Sequence, residues 1–159
     1  MSGLTPAGEV RLRAATATDC ERVWVWRNDP ETRAASLDGD AIPWDVHEPW
    51  FNETLGRKDR HLYIVVADGR DAGAVRLDVA DAEAVVNIHL APEARYRGIG
   101  ALALRAVVVE AFDGLGLVRV LAVVKPDNHA SLAAFAKAGF ALVEGDNLVT
   151  AVKSTRELP

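Results

Sequence analysis

NIHLAPEARYRGIGALALRAVVVEA, residues 87–111, is the stretch from which the rest of the chain can be organised. Alternating polar and apolar residues up to Leu90 read as the end of a strand, because successive side chains of a strand face opposite sides. Pro92 breaks that run, Arg95-Tyr96-Arg97-Gly98-Ile99-Gly100 forms a loop, and an almost wholly apolar helix begins. Backbone N–H groups in such a loop lack helical partners and lie at the positive end of the helix dipole, so they suit a phosphate or pyrophosphate. Gly98 and Gly100 let the backbone approach the ligand. A dinucleotide-binding G-x-G-x-x-G tight after the strand and a Walker Gly-Lys-Ser/Thr are both missing, which excludes those two phosphate loops.

The chain has 159 residues, the size of one domain with room for a sizeable core. With 50% hydrophobic and 26% charged residues it is too apolar for disorder. At a net charge of −5 with scattered arginines it lacks the clustered cations that grip a phosphate backbone, so no nucleic-acid partner is expected. No run of about 18 apolar residues and no basic-then-apolar leader is seen, so no membrane partner is expected. The single Cys20 forms no internal disulfide and falls in a helical apolar pattern, where a buried thiol is expected. Together these features lead to the expectation of a cytoplasmic protein.

Residues 1–8 hold Ser, Gly and Pro without periodicity and read as a flexible tail, leaving 9–159 as a single domain. Residues 9–14 alternate as a first strand. Thr18 or Asp19 caps a helix carrying Cys20, Val23, Trp24 and Trp26, which Asn28-Asp29-Pro30 stops. Residues 31–43 have no period and read as a loop of the kind that carries binding groups. Pro43 opens a second helix with an apolar stripe of Val46, Trp50, Phe51 and Leu55, ending near Gly56. Residues 61–68 and 72–79 are strands joined at Gly69-Arg70-Asp71, and 84–90 is a fourth strand. After the long helix, residues 118–124 form a nearly continuous apolar strand, as in a sheet covered on both faces. Asn128 opens a helix that Gly139 closes, and residues 140–144 and 148–153 are the last strands. The class is α/β, a mixed sheet of about seven strands with four flanking helices.

Arg95, Gly98 and Gly100, spaced arginine–two residues–glycine–one residue–glycine, resemble the pyrophosphate loop of the GNAT superfamily of N-acetyltransferases. The order of strands and helices resembles that family too, and Asn128 to Phe140 is similar to its Asn-x-x-Ala/Ser…Gly-Phe segment. The resemblance covers essentially the whole chain. It implies the GNAT fold, splayed between the fourth and fifth strands, with acetyl-coenzyme A as co-substrate and no metal. It implies that the backbone of Arg95, Tyr96, Arg97, Gly98, Ile99 and Gly100 holds the pyrophosphate. Leu90 and Ala91 would grip pantetheine and the acetyl carbonyl through N–H and C=O, and Asn128, with Ser131 nearby, would contact the pantetheine arm. The family often protonates the leaving thiolate with a tyrosine seven residues after that Asn. Here the position is Phe135, on a Leu132, Phe135, Ala136 stripe that reads as core packing. Ser131 or water would substitute, or the thiolate leaves unprotonated, a thiol pKa of about 8.5 making it a tolerable leaving group.

Acetyl transfer to an amine needs a held thioester, a neutral amine and a route for the developing charge. Alternation in the fourth strand puts Val85, Asn87 and His89 on one face and Val86, Ile88 and Leu90 on the other. His89, titrating near neutral pH, is the candidate base, with Asn87 to orient the amine or a water. A partly exposed histidine with no role is the plain alternative. Arg76 and Asp78 share a face of the third strand and are candidate substrate contacts.

Trp26-Arg27-Asn28-Asp29-Pro30-Glu31, with Ile42, His47, Trp50-Phe51, Arg76 and Asp78, resembles the branch that acetylates amino groups on nucleotide-linked sugars, as in pseudaminic-acid biosynthesis. There Arg27 would pair a phosphate, Asn28 bond sugar hydroxyls, and the tryptophans stack on rings. The plain alternative makes the tryptophans core residues, Arg27 a helix-end charge and Asn28-Asp29-Pro30 a turn. Within the enzyme class, acetylation of protein N-termini of the ribosomal-protein type would draw on Asp38, Asp40, Asp45 and Glu48 as an acidic groove, and aminoglycosides are a further option. From another class, a non-catalytic acyl-coenzyme A sensor would suit Phe135. The expected partner is a small-molecule amine, and the protein is expected to be a monomer or homodimer.

Overall fold

In the computed structural model, which describes residues 7–155, the chain begins with β1 (Val10–Ala14) and three helices, α1 (Cys20–Arg27), α2 (Pro30–Ala35) and α3 (Trp44–Gly56). Next come β2 (Arg60–Ala67), β3 (Arg70–Ala80), β4 (Glu83–Leu90) and α4 (Ile99–Val109). It closes with β5 (Arg119–Val124), α5 (His129–Lys137), β6 (Ala141–Glu144) and β7 (Val149–Ser154). The seven strands form one sheet in the order β1-β2-β3-β4-β5-β7-β6, antiparallel except for the parallel pair β4–β5. Among the described residues there are five α-helices, one more than expected. The extra one is α2, where a loop was anticipated: Pro30 presets the first helical φ, and the Asp29 carboxylate accepts from the Glu31 and Thr32 N–H groups.

Helices cover both faces of the sheet. Trp50 of α3 lies against Arg76 of β3, whereas Tyr63, facing the other way from β2, reaches Glu110 just beyond α4. Ile99, Leu104 and Val107 of α4 are fully buried. On α3 the buried stripe is His47, Phe51 and Thr54, not Val46, Trp50, Phe51 and Leu55: Val46 is 57% exposed, and Leu55 stands at the surface. A histidine can take a core position because both ring nitrogens are bonded, one to Arg27 and one to the Cys20 carbonyl. Cys20 itself is a buried free thiol.

The expected tail at residues 1–8 lies outside the described residues except for its end. There Ala7 N–H donates to the Arg97 carbonyl (3.2 Å) and Gly8 N–H to the Asp68 carboxylate (3.2 Å), so those two residues belong to the folded unit. The start of α1 is also not fixed by a simple Thr18 or Asp19 cap. Asp19, buried, accepts from Thr16 N–H (2.8 Å) and holds both guanidinium nitrogens of Arg13, which also reaches Asp71. One carboxylate therefore ties β1 to α1, and β3 joins through the same arginine. Replacing Asp19 by Asn should destabilise the fold by about 2 kcal/mol in urea unfolding, because charge-assisted bonds to a buried group are lost. The Arg13 guanidinium holds the Asp19 carboxyl below its usual range, so this stability is present above about pH 4 and is lost as pH falls. Asp19→Asn should flatten that acid limb.

Candidate active site

β4 and β5 pair over only three rungs, Glu83–Arg119, Ala84–Val120 and Val85–Leu121, and then separate. Because Ala91 N–H donates to Ala72 (2.8 Å), antiparallel alternation turns the N–H and C=O of Ile88 and Leu90 away from β3, toward the gap. This corrects one expectation. Ala91 is fully buried with its N–H engaged by β3, so the backbone left open toward the gap is that of Leu90 and Ile88. Sequence reasoning overlooked Gly73: a Cβ there would lie 2.5 Å from the His89 carbonyl oxygen and 3.0 Å from Leu90 Cα, so glycine is what allows β3 this close to the working end of β4.

The gap opens into a cavity of ≈ 860 Å³ that reaches from the Arg95–Gly100 loop and α5 to α1, α3 and the β3–β4 surface. At the loop, side chains find protein partners and leave the backbone toward the cavity. Arg95 donates to Asp29, Glu31 and Thr32, Arg97 pairs with Asp68 (3.2 Å), and Ile99 is fully buried. Gly98 caps α4 in the left-handed region (φ 76°), with nothing within 4 Å of where a Cβ would project. Gly100 approaches Ala134 of α5. Asn128 caps α5 by accepting from Ser131 N–H (3.2 Å), and both residues line the cavity. Phe135 is buried edge-on against Phe140 (4.9 Å), also in the wall, so no hydroxyl is offered there.

At the other end, Arg27 stacks on Trp50 (4.3 Å to the ring centre) and Arg76 lies 5.2 Å from the same ring. The Cys20 carbonyl can only accept, so it takes the His47 Nε2–H (2.9 Å) and leaves Nδ1 to accept from Arg27 (3.0 Å). Burial, with Arg76 nearby, pushes the Arg27 guanidinium down to about 10, still charged at neutral pH. Asn87 and His89 line the same cavity from β4. The His89 Nε2 is buried without a hydrogen-bond partner, and the expectation that it titrates near neutrality fails. Burial first, then the positive charge of Arg27, Arg76 and Arg95, pushes it down to about 3. Two proposed acceptor contacts are engaged elsewhere. Asn28 uses both ends of its amide on Ile42, donating to its carbonyl (2.9 Å) and accepting from its N–H (2.7 Å), and so clamps the chain ahead of α3. Asp78 accepts from Arg76 at 2.9 and 3.1 Å and stands outside the cavity lining.

Residues 9–141 match the family model described as the acetyltransferase (GNAT) domain. The chain belongs to the GNAT family. A spermidine N-acetyltransferase from Vibrio cholerae, solved with CoA and spermine, superposes with TM-score 0.82 at 16% identity, covering 91% of this chain and 95% of that one. An aminoglycoside acetyltransferase in complex with coenzyme A gives TM-score 0.79 at 18% identity, covering 92% and 95%. A GNAT acetyltransferase from Bacillus anthracis gives 0.75 at 17%, covering 93% and 95%. No curated protein matches the sequence.

This GNAT protein is an acetyl-coenzyme A-dependent N-acetyltransferase. The site fits that co-substrate: an open left-handed glycine at the head of α4, an unpaired edge on β4 and one continuous cavity join the loop to His89. Among the described residues no cluster of three or more His, Cys, Asp or Glu is placed to hold a metal ion, and no helix is long and apolar enough to cross a membrane. Gly98→Val should leave far-ultraviolet circular dichroism folded, cost about 1–2 kcal/mol for forcing a side chain into the left-handed region, and abolish measurable coenzyme A binding in calorimetry. Retained affinity in the folded variant would remove the loop from the cofactor site.

Proposed function

We propose that this N-acetyltransferase acts on an amino group of an anionic small molecule, and within that class on the amino sugar of a nucleotide-linked sugar. The observation that carries the reading is the Arg27–Trp50–Arg76 arrangement. Arg27 is half-buried, its bonded partner is a neutral imidazole, and among the described residues no carboxylate lies within salt-bridge distance of it. A desolvated guanidinium without a counter-ion favours a phosphate or carboxylate from the substrate. Acidic groups support the cationic alternatives less evenly. Asp38 and Asp40 line the cavity mouth and favour an aminoglycoside-type amine as a second reading, but Asp45 and Glu48 stand outside it.

In this reading the bound acetyl-coenzyme A supplies the thioester-held acetyl group. The protein's part is to deliver a neutral amine. An ammonium near His89 meets the same cations that depress the imidazole, so its own pKa falls and it enters the reaction deprotonated. His89 Nε2 then accepts an N–H of the amine and orients it, with Asn87 on the same face. His89→Ala should lower kcat about ten- to hundredfold, the loss of one buried hydrogen bond, without changing the shape of the pH–rate profile between pH 6 and 9. Disappearance of a limb near neutrality would restore a titrating base.

Acceptor class is tested by thiol release over UDP-amino sugars, N-terminal peptides and aminoglycosides. A UDP-4-amino sugar should turn over with a KM that rises with salt, and Arg27→Gln should raise that KM by about 30-fold or more while the acetyl-coenzyme A KM holds. Preference for an aminoglycoside, with Arg27→Gln neutral, would move the second reading ahead.

A further inference from the structure

α2 is a helix without a core. None of its residues is buried, and two charged side chains from opposite banks of the β4–β5 gap hold it in place. Its first turn is gripped from the β4 bank by Arg95, whose Nη2 donates to Asp29 (2.6 Å) and to Thr32 Oγ1 (2.8 Å) and whose Nη1 donates to Glu31 (2.5 Å). Tyr96, beside it, donates its hydroxyl to the other Glu31 oxygen (3.0 Å) from a left-handed backbone (φ 63°). Its last turn is gripped from the β5 bank by Lys125, directly after the strand, whose Nζ donates to the Ala34 carbonyl (2.9 Å). Beside these clasps, Thr32, Arg33, Ala35 and Ser36 line the cavity.

We infer that Arg95 and Lys125 are positioning residues that fasten α2 across the gap as a wall of the acceptor site. Arg95 therefore serves the acceptor side with its side chain while its backbone belongs to the cofactor loop. A wall fixed by polar contacts alone has little apolar burial to resist opening, so losing either clasp frees it locally without unfolding the core. The two ends do different work. The Arg95 clasp is continuous with the loop that faces the pyrophosphate, so it makes acceptor and cofactor binding interdependent; the Lys125 clasp touches no residue of that loop. The inference holds whichever amine is the acceptor.

The test uses the full chain and the variants Arg95→Gln, Lys125→Met and Lys125→Arg. Trypsin cleavage after Arg33, followed by mass spectrometry, reports opening of α2 and needs no acceptor. Arg95→Gln and Lys125→Met should each speed that cut about tenfold, with unchanged thermal melting, and Lys125→Arg should behave as the parent. With whichever amine of the acceptor panel turns over fastest, Lys125→Met should raise the acceptor KM about tenfold and leave the acetyl-coenzyme A KM within about twofold, with Lys125→Arg restoring it. Arg95→Gln should raise both. Equal protection of Arg33 in all four proteins overturns the fastening. Faster cleavage in Lys125→Met with only the acetyl-coenzyme A KM raised, or with neither KM changed, overturns the assignment to the acceptor site.

Discussion

Everything functional in this molecule depends on a place where hydrogen bonding stops. β4 and β5 share three rungs, and beyond Val85 and Leu121 the sheet is two plates diverging from a short seam. A buried sheet normally pairs its backbone groups, and edges left open invite another partner. Here the open edge faces a cavity whose two ends differ in kind. One is lined by main-chain N–H groups at the head of α4, the other by guanidiniums and aromatic rings. Gly73 maintains the arrangement from behind, since any side chain there would push the β4 backbone into the gap.

The electrostatics of the Arg27–Trp50 end follow from burial. Arg27, Arg76, His47 and His89 converge on one cavity, and burial favours the uncharged forms of Arg27, His47 and His89. On the proposed reading such a site needs no strong base to keep an amine neutral, and an anionic acceptor balances Arg27. It also dispenses with a tyrosine acid: Phe135 fills that part of the wall and packs on Phe140. A thiolate is a stable enough leaving group to tolerate the exchange.

Most of the fold was legible because its signals are local and periodic. Alternation, or in the fifth strand an apolar run, marks all seven strands to within a few residues, and the Arg95–Gly100 spacing locates the loop before α4. The first 60 residues were harder. α2 is specified by a cap and a proline, without the apolar stripe that marks longer helices, and the α3 stripe is hidden because two of its three buried residues, His47 and Thr54, are polar. Pairing partners were the other blind spot. Nothing in the spacing of Asn28 and Ile42, or of Arg76 and Asp78, says that these side chains satisfy one another instead of a ligand. Burial, with the nearby arginines, moves His89 out of the neutral range, and burial is a property of the assembled sheet and helices.

The histidine beneath Arg27 carries a final implication. The atom that dictates its tautomer is the carbonyl oxygen of Cys20, which belongs to the main chain of α1 and is the same whatever side chain stands at that position. The charge character of this end of the cavity is thus written partly in backbone geometry. Substitutions at position 20 that keep the core filled leave it intact, whereas a small slide of α1 along α3 would break it with no change of residue. Divergence of such a site between relatives would show up as a shifted helix before it showed up as an altered letter.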